Sequence, residues 1–243
     1  GYCLVVKDRA AFETRYGPGL PVVGEYAGSL DNGGERLELV DAAGQIVQGF
    51  RYEDNWHPLT DGFGFSLVIL NEGAPATAWG ERDSWRSSTT VGGSPGQDDP
   101  PPLGISTVLI NEALTHTAVT EVDVIELYNP TDAAADIGGW FLTDERGDPR
   151  KFRIPDGTVI PPGEYRIFDG NDFNPTPPSP LGGFGLSSLG EEVYLFSADF
   201  HGTLTGYLHG FRFGAADDGV PFGRHVISTG QEHFVAQEGP SFN

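Results

Sequence analysis

Apolar positions along this chain fall in short runs, each closed by residues that favour turns. The densest series lies in residues 105–160, where Ile110-Asn111-Glu112, Ile125-Glu126-Leu127-Tyr128-Asn129 and Trp140-Phe141-Leu142 follow one another. The runs end at Asn129-Pro130-Thr131-Asp132, Asp144-Glu145-Arg146-Gly147-Asp148-Pro149 and Pro155-Asp156-Gly157-Thr158. Short stretches rich in β-branched and aromatic residues, punctuated at this spacing, predict the strands of a sandwich or barrel.

The first hundred residues follow a related pattern. Leu4-Val5-Val6 predicts a strand, and Asp8 predicts the cap of a helix over residues 9–16, stopped at Gly17-Pro18-Gly19. Asp31-Asn32-Gly33-Gly34 and Asp41-Ala42-Ala43-Gly44 bracket a hairpin, with one arm over 35–40 and the other over 46–52. Alternation puts Leu37 and Leu39 on one face and Arg36 and Glu38 on the other. A further strand is expected over 62–70. Gln97-Asp98-Asp99-Pro100-Pro101-Pro102, acidic and then stiffened by proline, reads as a linker, giving units at 1–97 and 105–243 with a connection over 98–104.

The later unit repeats the earlier one. Gly163-Glu164-Tyr165-Arg166-Ile167-Phe168 aligns with Gly1-Tyr2-Cys3-Leu4-Val5-Val6, and Gly190-Glu191-Glu192-Val193-Tyr194-Leu195-Phe196 with Gly34-Glu35-Arg36-Leu37-Glu38-Leu39-Val40. Phe211-Arg212-Phe213 aligns with Phe50-Arg51-Tyr52, and His233-Phe234 with Ser84-Trp85. Nothing in the first hundred residues matches the 105–160 series, so the first unit reads as a copy without its opening strands. The helix is not expected to recur, because Pro175, Pro177, Pro178 and Pro180 occupy its place.

Composition narrows the function classes. A net charge of −21, with Lys7 and Lys151 the only lysines, disfavours phosphate backbones and anionic membrane surfaces. One cysteine, Cys3, leaves no internal disulfide and no thiolate cluster. No apolar run approaches the roughly 18 residues of a membrane span. The chain opens without an initiator Met, as a processed or excised form would.

In order, Ile110-Asn111-Glu112, the Ile125 to Asn129 run, Ile137-Gly138-Gly139-Trp140-Phe141-Leu142, the turn from Ile154 to Gly163 and Gly190-Glu191-Glu192-Val193 resemble a lamin-tail domain of the bacterial type. The resemblance covers residues 105–243 in full and 1–96 as the later part of a second copy. It implies an all-β, immunoglobulin-like β-sandwich, two related units in tandem. It also implies a non-catalytic module of a large exported or surface protein. The expected core is Val124 or Ile125, Leu127, Trp140, Leu142, Ile154, Ile167, Val193, Leu195, Phe211 and Phe213.

Candidate chemistry is thin. Gly92-Gly93-Ser94-Pro95-Gly96 has the letters of a nucleophile elbow but precedes a proline linker, without the following helix that the motif needs. The six histidines show neither H-E-x-x-H nor finger spacing, and Glu112 and His116, four apart on a strand, would stand about 13 Å apart. Asp169, Asn171 and Asp172 offer oxygen ligands on a loop, as calcium requires, although tight turns prefer the same residues. Trp56, beside His57-Pro58, is the tryptophan expected to be exposed and available for binding, for example to a carbohydrate.

These signs predict a non-enzymatic structural or adhesion module, extracellular or on a bacterial cell surface, joined to other domains of a longer parent chain. Its expected partners are protein or extracellular polymer, with neither nucleic acid nor membrane insertion. Calcium is the only candidate cofactor. The alternative is a polysaccharide-binding module that targets an attached enzyme. Self-association through the open first unit is a further expectation, since uncovered sheet edges invite pairing.

Overall fold

The computed structural model describes residues 1–100, 104–115 and 122–242. Its contacts divide the chain into two compact units, Gly1–Leu103 and Gly104–Asn243. Among the described residues no helix is long and apolar enough to cross a membrane.

In the first unit β1 (Leu4–Val6) lies parallel to β2 (Val22–Glu25), with α1 (Arg9–Tyr16) between them in sequence. The helix starts where predicted, because the Asp8 side chain accepts a bond from Ala11 N at 2.8 Å and satisfies one of the free amides of its first turn. β3 (Arg36–Val40) and β4 (Ile46–Arg51) form the expected hairpin, and β5 (Leu67–Ile69) pairs antiparallel with β6 (Trp85–Ser87). The strand expected over 62–70 is cut to three residues, since Gly62 and Gly64, at φ 87° and 80°, turn the chain before it. Among the described residues, each of this unit's three sheets has two strands. Among the described residues its buried apolar side chains are Val6, Trp56, Leu59, Phe65 and Trp85.

The second unit continues with β7 (Leu109–Leu114), β8 (Val124–Tyr128), β9 (Ala135–Asp136), β10 (Phe141–Thr143), β11 (Phe152–Arg153), β12 (Val159–Ile160) and β13 (Tyr165–Asp169). Then come α2 (Gly170–Phe173), β14 (Gly190–Ala198), β15 (Leu204–Gly214), β16 (Phe222–Val226) and β17 (Glu232–Ala236). One sheet has the order β13-β8-β7-β16-β17 and the other β11-β10-β14-β15, with a small β9–β12 pair beside them. Alternation sends Ile110, Ile125 and Leu127 from the first sheet, and Val193, Leu195, Phe211 and Phe213 from the second, into one core. Each such side chain contributes roughly 1.5–3 kcal/mol by leaving water.

All the expected core residues are buried except Ile167, which is 38% exposed, and Val124, which yields the place to Ile125. The register explains the exchange. Phe168 stands opposite Ile125 and faces inward, whereas Ile167 stands opposite Glu126 on the outer face. The helix thought to be lost persists as the single turn α2, because Pro175 follows the C-cap Asn174 and breaks none of its bonds. Phe173 of that turn stacks on Phe184, with ring centroids 4.6 Å apart, and enters the core. The Asn129 turn is tied just as closely. The buried Asn129 Nδ2 shares its hydrogens among the carbonyls of Ala133, Ile160 and Pro161 at 2.8–3.1 Å, while Oδ1 accepts from Thr131 N at 3.0 Å.

The hairpins of the two units agree in detail. Leu37 stands opposite Phe50 as Val193 stands opposite Phe211, and Arg36 opposite Arg51 as Glu192 opposite Arg212. Both open on a glycine at positive φ, 98° at Gly34 and 106° at Gly190. A Cβ on Gly34 would strike the Tyr52 carbonyl oxygen, and one on Gly190 would lie 3.0 Å from the Phe213 carbonyl oxygen. Each glycine is followed by a glutamate that accepts from the amide four residues earlier, Asp31 N to Glu35 at 3.0 Å and Ser187 N to Glu191 at 2.7 Å.

Candidate functional site

The sequence-predicted residues are distributed rather than assembled. Ser94, centre of the glycine-rich run, donates to Asp99 Oδ2 at 2.8 Å, and Asp99 also accepts from Arg86 Nη1 at 2.5 Å and Thr89 N at 3.1 Å. Burial pushes the Asp99 carboxyl up, but the bonds from Arg86, Ser94 and Thr89 outweigh it and hold the group below its ordinary value. The acidic start of the expected linker over 98–104 is therefore anchored to the first unit rather than free. Residues 101–103 lie outside the described residues.

Asp169 and Asp172 form a capping box on α2. Asp169 Oδ1 accepts from Asn171 N at 2.8 Å, and Asp172 Oδ2 accepts from Asp169 N at 3.1 Å. Asn171 lines a separate recess of about 240 Å³ with Asp123 and Asn174. Burial pushes the Asp123 carboxyl up, partly offset by the bond from Leu186 N at 2.7 Å. Among the described residues no group of three or more His, Cys, Asp or Glu side chains could hold a metal ion.

His116, which the sequence sets too far from Glu112 for a shared site, lies outside the described residues. His225 stands opposite His233 across the β16–β17 pair, both exposed. His57 Nε2 lies 3.3 Å from the Arg82 carbonyl oxygen, and His209 carries the larger network. Its Nδ1 accepts from Ile110 N at 2.9 Å, across the two sheets, so the network assigns the hydrogen to Nε2, which lies 3.1 Å from Glu232 Oε2. Arg224 Nε completes the chain at 2.5 Å from Glu232 Oε1. The His209 bond, then the Arg224 bond, hold the Glu232 carboxyl at about 2 against burial. An imidazole whose Nδ1 is spent on a backbone amide is a structural bridge, not a proton shuttle.

Glu112 and Glu126, the glutamates of the two most motif-like runs, stand opposite each other on the outer face of the five-stranded sheet, and both are fully buried. Glu112 takes the amide of Ser241 at 3.0 Å and its hydroxyl at 2.6 Å, so the C-terminal segment is clamped across the sheet. Glu126 accepts from Asn111 Nδ2 at 2.7 Å, which the register shift between Ile110 and Glu112 brings alongside.

Trp56 is not exposed, contrary to the sequence expectation. It is 8% accessible, because its ring packs 6.4 Å from Trp85 and its carbonyl accepts from Arg82 Nε at 2.8 Å. Its ring is not among those that line the groove described next. Trp85 instead centres an aromatic cluster with Phe50 at 4.7 Å and Trp79 at 5.5 Å. Phe50 and Trp85 of this cluster floor a groove of about 570 Å³ between the β3–β4 hairpin and β5, lined also by Leu37, Phe65 and Leu67. The volume suits a bound side chain or small ligand. Sequence reading missed the groove because its apolar residues look like core positions, and nothing local says that the space above them is open.

Geometry and packing define the second unit as an immunoglobulin-like β-sandwich within an all-β chain. The family model of the Lamin Tail Domain matches residues 101–207, from just before β7 into β15. That is an immunoglobulin-like, non-catalytic domain family. Neither a curated protein nor a solved structure matches the chain.

Proposed function

We propose that this chain is a non-catalytic interaction module of a larger exported or cell-surface protein. Its first unit is a partial copy of the second, and its binding surface lies where that copy is open. The observation that carries this reading is a contrast between matched positions. Leu195 and Phe196, on the strand paired with β10, are fully buried, whereas Leu39 and Val40, their counterparts by alignment, are 57% and 52% exposed. The shared register, the paired glycine constraint and the equivalent aromatic contacts (Phe50 with Trp85, Phe211 with Phe234) support the copy. Carboxylates and a histidine occupied in caps, clamps and sheet bridges support a role without catalysis.

Panning a displayed peptide library on the chain, beside co-sedimentation with insoluble cell-wall polysaccharide, tests the reading. Enrichment of peptides with no retention on polysaccharide is the expected result. Retention on polysaccharide alone would replace it with the polymer-targeting module.

A further inference from the structure

We propose that the open groove of the first unit receives one extended, basic-flanked peptide strand, which pairs with the free edge of β5 and sets apolar side chains over Phe50 and Trp85. This rests on the interaction-module reading and names its partner.

Three features converge on that occupant. The first is an unpaired strand edge. Ser66 O accepts from Ser88 N at 2.7 Å and Leu70 N donates to Ser84 O at 2.8 Å, so the even-numbered positions of β5 bond toward β6. Alternation turns the backbone groups of Leu67 and Ile69 the other way, where no strand pairs among the described residues. In the second unit the corresponding edge of β16 carries β7, with Phe222 opposite Ala113 and Gly223 opposite Glu112. The second feature is an apolar floor with room above it. The stacked Phe211–Phe234 pair shares its cluster with Ile110 of β7, and the matched Phe50–Trp85 pair faces the 570 Å³ groove instead. The third feature is charge. Asp31, Glu53 and Asp54 line the groove with no lysine or arginine among its lining residues, and Arg51 pairs with Glu53 at 2.7 Å. A chain of net charge −21 repels a second copy of itself and attracts a cationic strand. Strand addition supplies affinity through main-chain bonds and selectivity through alternate side chains.

The test uses the full 243-residue chain and synthetic nonapeptides of alternating valine and threonine, flanked at both ends by lysines. Tryptophan fluorescence and calorimetry report binding. The lysine-flanked peptide is expected to bind with 1:1 stoichiometry. Glutamate flanks should weaken it at least about tenfold, as should N-methylation of alternate amides. The exposed-rim double variant Glu53→Gln/Asp54→Lys, checked for native circular dichroism, should weaken the lysine-flanked peptide by about tenfold. Equal binding of the glutamate-flanked peptide would overturn the basic partner while leaving an interaction module in place. Equal binding of the N-methylated peptide would overturn strand pairing. No binding by any of the peptides would overturn the proposal, and a chain that is dimeric on sedimentation would then identify a second copy as the occupant. Failure of the interaction-module reading itself would show as retention on polysaccharide with none of the peptides bound.

Discussion

The two hairpins β3–β4 and β14–β15 share register, opening glycine and glutamate turn, yet one is half of a closed core and the other is largely exposed. β14 is flanked by β10 and covered by the five-stranded sheet, while among the described residues β3 has β4 as its only strand neighbour. The same local sequence grammar thus yields the same local structure in both places. Burial is set by strands distant in sequence. Local pattern specifies the hairpin, and the 105–160 series specifies whether it has an interior.

This contrast can be broken most sharply with matched truncations. Leu195→Ala should cost about 3 kcal/mol in denaturant unfolding, whereas Leu39→Ala should change stability by less than about 0.5 kcal/mol. Comparable losses would mean that Leu39 is covered in solution. The shared glycine constraint gives the opposite expectation, because Gly34→Ala and Gly190→Ala should both destabilise, by about 1–3 kcal/mol each. If only one responds, the hairpins are not equivalent. Removing the clamp on the second unit by Glu112→Gln should cost about 1–3 kcal/mol and speed hydrogen exchange in residues 237–241, since a buried acceptor of Ser241 loses its charge.

A smaller effect separates the units by pH. Glu232 is held at about 2 against an ordinary 4.5, so its stabilisation is complete above about pH 4.5 and is lost as pH falls toward 2. With the side chain about a third exposed, the expected amount is only about 1 kcal/mol. Glu232→Gln should flatten that part of the second unit's acid-unfolding curve and leave the first unit's unchanged. Smallest of all, millimolar calcium should leave the melting temperature unmoved, because backbone amides occupy Asp169 and Asp172. A rise that Asp169→Ala abolishes would show that the turn binds the ion.

Most of the secondary structure was legible because its signals are local. Asp8 caps α1, the Asp31 and Asp41 turns delimit β3–β4, and the runs ending at Asn129 and Thr143 become strands. The errors each have a tertiary cause. Tyr165-Arg166-Ile167-Phe168 offers two adjacent apolar residues, and only pairing with Glu126 and Ile125 decides which points inward. Trp56 stands in a local loop but is covered by Trp85, 29 residues away. The prolines that forbid a long helix after Asp169 leave room for one capped turn before them. The candidate groove was illegible for a related reason, since an open space is a property of what fails to pack, and no residue pattern records it.

The His209 bridge has a mechanical consequence. Two sheets held together by apolar contact alone can slide along each other by a residue pair with little change in buried area. The bond from Ile110 N to His209, anchored in turn on Glu232 and Arg224, gives the leaves one preferred alignment. Any slip would strand a buried amide and separate a charged carboxylate from its partners. The histidine acts as a dowel through the sandwich, setting the position in which its apolar faces close.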